Sequence, residues 1–208
     1  MARKPPRLDA AYSLKTPADS RRLYRDWAST YDDDFAARMD YQMPARIAAV
    51  FAASGEGPVL DIGAGTGLVA EKLGGLGIGP VDGIDISAEM LQVAAAKGVY
   101  RRTLVADLTR TLPIEDRTYR GFVSSGTFTH GHVGPDALDE LLRVAVPGAF
   151  FALSVHSAVF ETAGFDRKLR NLAPMVRDLS IEPVAIYGHG AGGDHATDQA
   201  LIVSFRRA

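Results

Sequence analysis

The segment Val59–Gly67, with the sequence VLDIGAGTG, decides the fold of this chain. Its first four residues form a short apolar strand, and its glycines at positions 63, 65 and 67 let the backbone turn sharply and approach a ligand with no Cβ in the way. A helix is predicted from about Leu68 to Leu73, and free amides at its N-terminus can bind a carboxylate or a phosphate. Taken alone, such a loop is also compatible with an ordinary tight turn.

Strand and helix patterns alternate after this loop. Ser87 is a predicted N-cap for the next helix, and an amphipathic helix over 137–144 points Leu138, Leu141 and Leu142 inward. The predicted strands are 59–62, 81–86, 102–106, 119–125 and 149–155. Alternating elements of this length predict a parallel sheet with right-handed crossovers and helices on both faces.

The C-terminal part breaks this alternation. An amphipathic helix is predicted over 165–179. Its apolar side chains are Phe165, Leu169, Leu172, Val176 and Leu179. Two strands, 183–187 and 200–205, follow without a helix between them, so the second must return antiparallel to the first. The sequence therefore predicts an antiparallel hairpin at the end of the sheet.

The length of 208 residues fits one domain. Residues 17–54 are predicted to form a helical lid, because apolar and aromatic side chains recur there every four residues, and residues 55–208 are predicted to form the core. The recurring side chains are Leu23, Trp27, Tyr31 and Phe35. Residues 1–16, which include Arg3, Lys4 and Arg7, are predicted to be a disordered basic arm.

Composition excludes several classes of chemistry. The chain has no cysteine, which excludes disulfides, thiolate metal sites, cysteine nucleophiles and iron–sulfur clusters. Its net charge of −2 lacks the basic excess of nucleic-acid binders, so no nucleic-acid partner is expected. No apolar run reaches the roughly 18 residues of a membrane helix, and the N-terminus lacks the apolar segment of a secretory signal. A cytoplasmic protein without a membrane partner is expected.

Three aspartates lie inside or just after the first three predicted strands. Asp61 interrupts an apolar strand, where a carboxylate is costly unless it has a partner such as an ammonium group. Asp85 ends the second strand about 20 residues past the loop, where an acid can bind both ribose hydroxyls. Asp107 follows the third strand and can meet the amino edge of an adenine. Together they outline a site for a ribose, a base and an amino acid.

A nicotinamide or flavin dinucleotide site is the competing interpretation of this loop. Its fingerprint, G-x-G-x-x-G, requires a third glycine where this chain has Leu68. Asp61 would also lie close to the pyrophosphate of a dinucleotide. Both observations disfavour an oxidoreductase.

The chain resembles class I S-adenosylmethionine-dependent methyltransferases over about residues 20–205. The resemblance starts at Val59–Gly67 and continues through Val81–Leu91 and Val105–Leu108 to Pro147-Gly148. It implies a Rossmann-like class I methyltransferase fold, with a seven-stranded, mostly parallel sheet, an antiparallel C-terminal hairpin and an N-terminal helical lid. The segments WASTYD at 27–32 and GHVG at 131–134 are most similar to the Williams–Beuren region methyltransferase-like subgroup.

The resemblance implies S-adenosylmethionine as the cofactor and a role for each of the following residues. Gly63, Ala64, Gly65 and Gly67 would line the methionine part, and Asp61 would hold its ammonium group. Asp85 would bind the ribose, Ile86 and Met90 would pack on the adenine, and Asp107 and Leu108 would meet its edge. Ser124, Ser125 and Gly126 would face the methionine end. Trp27 and Tyr31, on the lid, would offer an aromatic face to the sulfonium.

The acceptor is predicted to be a small molecule with a nucleophilic nitrogen or oxygen. Ligands bind beyond the carboxyl ends of parallel strands, so the segment after the fourth strand should cross the mouth of the site. It carries His130 and His132, the candidates for a general base, because histidine titrates near neutrality. Their spacing is weak support for a metal site, and no metal is expected.

Absent motifs narrow the acceptor further. The fourth strand ends at Ser124-Ser125-Gly126-Thr127, without the Asn/Asp-Pro-Pro-Tyr motif associated with methylation of nucleobase or glutamine amino groups. The absence of cysteine excludes the thiol route to cytosine C5 methylation. A module that binds S-adenosylmethionine without transferring its methyl group is the main alternative, and a nucleotide-dependent oxidoreductase is the other.

Overall fold

A computed structural model describes residues 8–14, 16–131 and 133–208. The strands are β1 Val59–Ile62, β2 Val81–Asp85, β3 Arg102–Val105, β4 Tyr119–Phe128, β5 Ala145–His156, β6 Val176–Ala185 and β7 Gln199–Arg207. The helices are α1 Leu8–Tyr12, α2 Pro17–Trp27, α3 Met43–Ala52, α4 Leu68–Gly75, α5 Ala88–Ala96, α6 Ala137–Val144, α7 Ser157–Phe160 and α8 Phe165–Asn171. A π-helical segment covers Asp32–Ala37, and a short 3₁₀ turn covers Ala173–Met175.

The strands form one sheet in the order β3-β2-β1-β4-β5-β7-β6. Neighbouring strands from β3 through β5 are parallel, whereas β7 is antiparallel to both β5 and β6. The predicted fold, a mostly parallel seven-stranded sheet that ends in an antiparallel hairpin, is confirmed. Because the chain order reverses between β1 and β4, the crevice for a ligand opens at the carboxyl ends of these two strands.

A ladder of phenylalanine rings attaches the reversed strand to the parallel ones. Phe122 of β4 stacks on Phe151 of β5 with ring centroids 4.2 Å apart, and Phe151 stacks on Phe205 of β7 at 4.5 Å. All three rings are fully buried beneath α6 and α8. Stacked aromatic pairs stabilise beyond their buried area, so this ladder helps to hold β7 between β5 and β6.

The opposite face of the sheet carries the second apolar layer. It packs α3 and α4 against the sheet, with Ile47, Phe51, Val69 and Leu73 almost completely buried. The aromatic side chains of residues 17–37 join this layer rather than the one under α6. The N-terminal segment therefore lies on the side of the sheet on which α4 begins.

The aromatic residues predicted to recur along the lid pack in one continuous row. Trp27 and Tyr31 have ring centroids 5.2 Å apart, and Tyr31 and Phe35 are 5.0 Å apart. The helix itself is interrupted, since α2 ends at Trp27 and the π-helical segment begins at Asp32. Thr16 caps α2 by accepting a hydrogen bond from the amide of Asp19 at 3.2 Å.

The predicted disordered arm is wrong for residues 8–12, which form α1. Ala11 is buried in this helix, and the Tyr12 ring packs against His130 and His195 at centroid distances of 5.0 and 4.6 Å. The burial of these side chains supports a helix that composition alone did not predict. Arg3, Lys4 and Arg7 lie outside the described residues.

The predicted helix over 165–179 is wrong beyond Asn171. Pro174 follows shortly after α8, and proline disfavours helical geometry in the residue before it and removes a backbone donor. Val176 and Leu179 therefore lie in β6, which starts before the predicted strand at 183. The strands β4 and β5 also extend beyond their predicted ends, to Phe128 and His156.

Candidate active site

The glycine loop between β1 and α4 takes the left-handed backbone that its glycines permit. Gly63, Gly65 and Gly67 have φ values of 65°, 53° and 89°. Around Gly63 the space is also restricted, because a Cβ there would lie 1.9 Å from Oγ1 of Thr127 at the end of β4. The end of β4 thus presses directly on the loop, and only glycine fits at position 63.

Asp85, the last residue of β2, holds the loop from its neighbouring strand. One carboxylate oxygen accepts a hydrogen bond from the amide of Gly65 at 2.9 Å, and the other accepts one from the amide of Ser87 at 2.8 Å. Burial raises the pKa of Asp85, and the backbone hydrogen bonds counteract this effect. Each carboxylate oxygen has further acceptor capacity, so this side chain can also bind the two hydroxyls of a ribose.

Asp61 lies behind the loop, inside β1, with 1 % of its surface exposed. Its Oδ2 accepts a hydrogen bond from the Tyr100 hydroxyl at 2.6 Å, while its Oδ1 is buried without a hydrogen-bond partner among the described residues. Burial raises the pKa of Asp61 to about 7, even though the hydrogen bond from Tyr100 lowers it, and the nearby Asp85 raises it further. An unpaired buried carboxylate oxygen fits the amino group of a ligand.

The lid is attached to the loop by Asp32, at the start of the π-helical segment. Thr66 of the loop donates its hydroxyl to Oδ1 of Asp32 at 2.6 Å, and Lys97 binds Oδ2 at 2.6 Å. Lys97 also binds Glu71 of α4 at 3.0 Å. The lid, the glycine loop and the ends of two helices are therefore joined through a single carboxylate.

A cleft opens between the loop, the strand ends and the lid. Its free volume, including the open mouth, is about 890 Å³, within the range of small-molecule sites. Eleven of the residues predicted for the cofactor site line this cleft. They are Tyr31, Gly63, Ala64, Gly65, Asp85, Ile86, Met90, Asp107, Leu108, Ser125 and Gly126. The structure thus brings together, around one cleft, the residues that the sequence analysis predicted at the ends of the parallel strands.

The four other predicted cofactor residues do not line the cleft. Asp61 lies behind the loop, and Gly67 forms the N-cap of α4, where a Cβ would lie 2.9 Å from Val99. Ser124 is buried and donates to the carbonyl of Ile62 at 2.8 Å. Trp27 lines a separate chamber beneath the lid. These side chains can support the cleft, but the cleft surface is made by others.

The histidines that follow β4 take a different position from the one predicted. The His130 ring packs on His156 at a centroid distance of 4.8 Å and on Tyr12, and it is not among the residues that line the cleft. His132 lies outside the described residues. The histidine beside the chamber is His156, at the end of β5. A catalytic role for His130 or His132 stays a prediction.

Several residues that line the cleft were not predicted, because the local sequence gives little or no sign of their role. Tyr41, after the π-helical segment, hydrogen-bonds Ser125 at 2.9 Å, and Thr127 donates to the carbonyl of Ile62 at 2.9 Å. Ser20 is buried in α2 with its hydroxyl unpaired within the described ranges. A weak signal did exist for Thr127, which directly follows the predicted Ser124–Gly126 segment. No such signal existed for Tyr41, because its position depends on how the lid packs against the sheet.

The described residues contain no group of three or more histidine, aspartate or glutamate side chains arranged to hold a metal ion. Within the same part of the chain, every helix is too short or too polar to cross a bilayer.

Comparison with known proteins identifies the domain. Residues 60–153 match the family described as a methyltransferase domain. Over 157 residues the chain is 31% identical to human methyltransferase-like protein 27, an alignment that covers 73% of this chain and 63% of that protein. The resemblance to class I S-adenosylmethionine-dependent methyltransferases is confirmed. The chain therefore spans less than two thirds of the length of that relative.

Solved structures share the fold at lower sequence identity. An S-adenosylmethionine-dependent methyltransferase from Thermotoga maritima superposes with a TM-score of 0.63 at 16% identity, covering 90% of this chain and 98% of that one. A DhpI–SAH complex gives 0.66 at 20%, covering 92% and 97%. The [4+2]-cyclase SpnF gives 0.67 at 18%, covering 93% and 97%. The fold is thus common to a methyltransferase and a cyclase, so the chemistry of this chain has to be argued from its site.

Proposed function

We propose that this protein is an S-adenosylmethionine-dependent methyltransferase that acts on a nitrogen or oxygen atom of a small molecule. The observation that carries the proposal is Oδ1 of Asp61, which is buried behind the glycine loop and has no hydrogen-bond partner among the described residues. A buried carboxylate oxygen without a partner is costly, and a ligand ammonium group, held through water or directly, would provide one. A dinucleotide brings a pyrophosphate to this place instead, and the negative charge of Asp61 would repel it.

The remaining cofactor contacts follow from the order of the strands. Asp85, which accepts hydrogen bonds from the amides of Gly65 in the loop and Ser87 at the start of α5, would bind the ribose hydroxyls. Ile86 and Met90 would pack on the adenine, and Asp107 and Leu108 at the next strand end would meet its edge. Asp107 is prearranged by hydrogen bonds from the amide and hydroxyl of Thr109 at 2.9 and 2.6 Å.

The methionine end would lie where β1 and β4 separate. Ser125 and Gly126 line the cleft there, and the Tyr41 hydroxyl reaches Ser125 from the lid. Gly67 and Ser124 would act as supports, one starting α4 and the other attaching β4 to β1. Residues 17–54 would serve as the lid over a core formed by residues 55–208, attached at Asp32.

When bound, S-adenosylmethionine would supply a methyl group on a sulfonium, and the electron pair of the broken S–CH₃ bond would stay on sulfur. The protein has to hold the acceptor nitrogen or oxygen in line with that bond and about 3 Å from the methyl carbon. The acceptor lone pair forms the new bond, and the proton released from nitrogen or oxygen passes to a base or to water. Tyr24, Tyr31 and Tyr41 surround this region and would exclude bulk water from it.

A module that binds S-adenosylmethionine without transfer is the second candidate. It is favoured by the position of His130, which packs against aromatic rings, so that no histidine of the described residues lines the cleft. Binding alone does not distinguish the two candidates, because they share the cofactor contacts. Release of S-adenosylhomocysteine in the presence of an acceptor does distinguish them.

Calorimetric titration with S-adenosylmethionine and S-adenosylhomocysteine tests the proposal directly. We expect micromolar binding that falls by about 100-fold or more in Asp85→Ala, because the variant loses the ribose contact and the hydrogen bonds from the amides of Gly65 and Ser87. Asp194→Ala, in the exposed loop before β7, is the matched control and should bind as the wild type does. If the folded wild-type protein binds neither ligand, the proposal is overturned.

A further inference from the structure

A second chamber lies beneath the lid, beside the cofactor cleft. The two spaces share Tyr24, Tyr31, Tyr41 and Gly126 among their lining residues, so they adjoin there, and a passage between them would run past these residues. A side chain at position 126 would obstruct this passage, because its Cβ would lie 2.8 Å from the Tyr41 hydroxyl. The free volume of the chamber, open mouth included, is about 540 Å³, which is enough for a small ligand.

Aromatic side chains make up about half of the residues that line the chamber. Besides the shared tyrosines, it is lined by Tyr12, Trp27, Phe35, Phe128 and Tyr187. Several of these rings already pair edge-to-face or tilted, as Tyr41 and Tyr187 do at a centroid distance of 6.0 Å. Walls of this kind favour a flat ring, which can stack on one wall and meet others by its edge.

Two buried nitrogen donors beside the chamber have no hydrogen-bond acceptor among the described residues. One is Nε1 of Trp27, and the other is Nε2 of His156. His156 accepts a hydrogen bond from the amide of Ala158 through Nδ1, so Nε2 carries the proton, and Oδ2 of Asp198 lies 3.5 Å away from it. A buried donor without an acceptor, as Nε1 of Trp27 is within the described ranges, is uncommon in native proteins and fits an acceptor from outside the chain, whereas Nε2 of His156 has a distant partner in Asp198.

We propose that this chamber holds the methyl acceptor and that the acceptor is a planar aromatic compound with oxygen atoms on its ring. The inference rests on the proposed function, because it places the nucleophilic atom at the passage beside Gly126. Ring oxygens would accept hydrogen bonds from Trp27 and His156. A cationic amine fits less well, since two N–H donors would face it and the described lining includes no carboxylate.

Trp27 is the only tryptophan in the chain, so its fluorescence reports on the chamber directly. The test titrates the protein, saturated with S-adenosylhomocysteine, with resorcinol, cyclohexane-1,3-diol and benzylamine, exciting at the red edge of the tryptophan band. Resorcinol should change the emission saturably and bind at least about tenfold more tightly than the other two. Equal binding of the saturated diol or the amine, or no saturable change with resorcinol, would overturn the inference.

Variants separate this site from the cofactor cleft. His156→Gln should weaken resorcinol binding by about 3- to 10-fold, as expected for one lost hydrogen bond, and leave S-adenosylhomocysteine binding unchanged. His189→Gln makes the same exchange at an exposed histidine and should change neither. Trp27→Phe, followed by calorimetry, tests the second donor if His156→Gln does not fold. Failure of S-adenosylhomocysteine to bind overturns the proposed function, whereas its binding without any effect of resorcinol overturns only this inference.

Discussion

The Tyr100 hydroxyl donates a 2.6 Å hydrogen bond to Oδ2 of Asp61 and so holds one half of a carboxylate that is buried in the middle of the sheet. Tyr100 precedes β3, whereas Asp61 lies in β1, so the contact crosses beneath β2. There the Tyr100 ring fits against Gly83, where a Cβ would lie 3.0 Å from it. The contact leaves the other oxygen of Asp61 without a hydrogen-bond partner in the described part of the chain, and the proposed contact with a ligand ammonium group uses that oxygen.

The affinity for S-adenosylhomocysteine should depend on pH through Asp61. Its pKa is raised to about 7 in the free protein, so below that pH the carboxyl must lose its proton before it can bind the ammonium group. Affinity should therefore fall by up to about tenfold per pH unit below pH 7 and level off above it. Calorimetry between pH 6 and 8 measures the effect, and Asp61→Asn should bind weakly with little pH dependence. An affinity of the wild-type protein that does not change with pH would contradict the role of Asp61 in binding the ammonium group.

Substitution by asparagine should change the free energy of unfolding in opposite directions at two aspartates of neighbouring strands, Asp61 and Asp82. Ionised Asp61 destabilises the free protein, because a pKa raised above the unfolded value means that stability is lost as pH rises through 7. Asp61→Asn should therefore increase the free energy of unfolding at pH 8 by about 2 kcal/mol, at about 1.4 kcal/mol per pKa unit and discounting for the lost carboxylate hydrogen bond.

Asp82, in β2, provides the contrast. Burial raises its pKa, but hydrogen bonds from Arg101, Tyr119 and Arg102 outweigh that effect and hold the pKa below its usual value. Its contribution to stability is present above the unfolded pKa and is lost as pH falls toward the folded one. Asp82→Asn should lower the free energy of unfolding at pH 8 by about 2 kcal/mol, since the arginines are half exposed and can return to water. Urea denaturation measures both variants, and a loss of stability in Asp61→Asn would refute the contrast.

Substitution by alanine should have very different effects on the affinity for S-adenosylhomocysteine at two glycines with similar backbone angles. Gly63 and Gly77 have φ values of 65° and 72°, so both substitutions carry the same conformational strain of about 1 kcal/mol. Only at Gly63 does the new Cβ collide with a neighbour, Oγ1 of Thr127, whereas nothing lies within 4 Å at Gly77. Gly63→Ala should reduce S-adenosylhomocysteine affinity by about 100-fold or prevent folding, and Gly77→Ala should keep full affinity. Equal affinity in both variants would show that the contact with β4 is unimportant.

The lid contact at Asp32 should contribute to cofactor retention. Asp32→Ala removes the acceptor for Thr66 and Lys97, which frees the lid from the glycine loop. Because these groups are partly exposed, we expect a modest loss, about 3- to 10-fold in affinity, expressed mainly as faster dissociation. Asp33→Ala, at the next and exposed position, is the control. Stopped-flow dissociation of S-adenosylhomocysteine measures the rate, and equal rates in the two variants would exclude a role for the contact.

Much of the architecture follows from local patterns. Alternating apolar strands and amphipathic helices predict a parallel sheet, and the absence of a helix between the last two strands predicts their antiparallel pairing, because a reversed strand needs no crossover. The failures are also local in origin. The predicted helix over 165–179 extended the helical spacing of apolar residues past Pro174. The helix α1 was not predicted, because five residues are too few to show a recognisable helical pattern.

The sequence by itself determined which residues lie at the strand ends, since Asp61, Asp85 and Asp107 each lie in or directly after a strand that the pattern identified. Carboxyl ends of adjacent parallel strands meet at one edge of the sheet, so their convergence needed no further information. What only the tertiary structure decided is the set of contacts between distant segments. Tyr100 lies 39 positions from Asp61 and Asp32 lies 34 positions from Thr66, and the aromatic chamber around Trp27 is built from several elements of the chain. No local spacing encodes such contacts, because they depend on how the lid packs across the sheet.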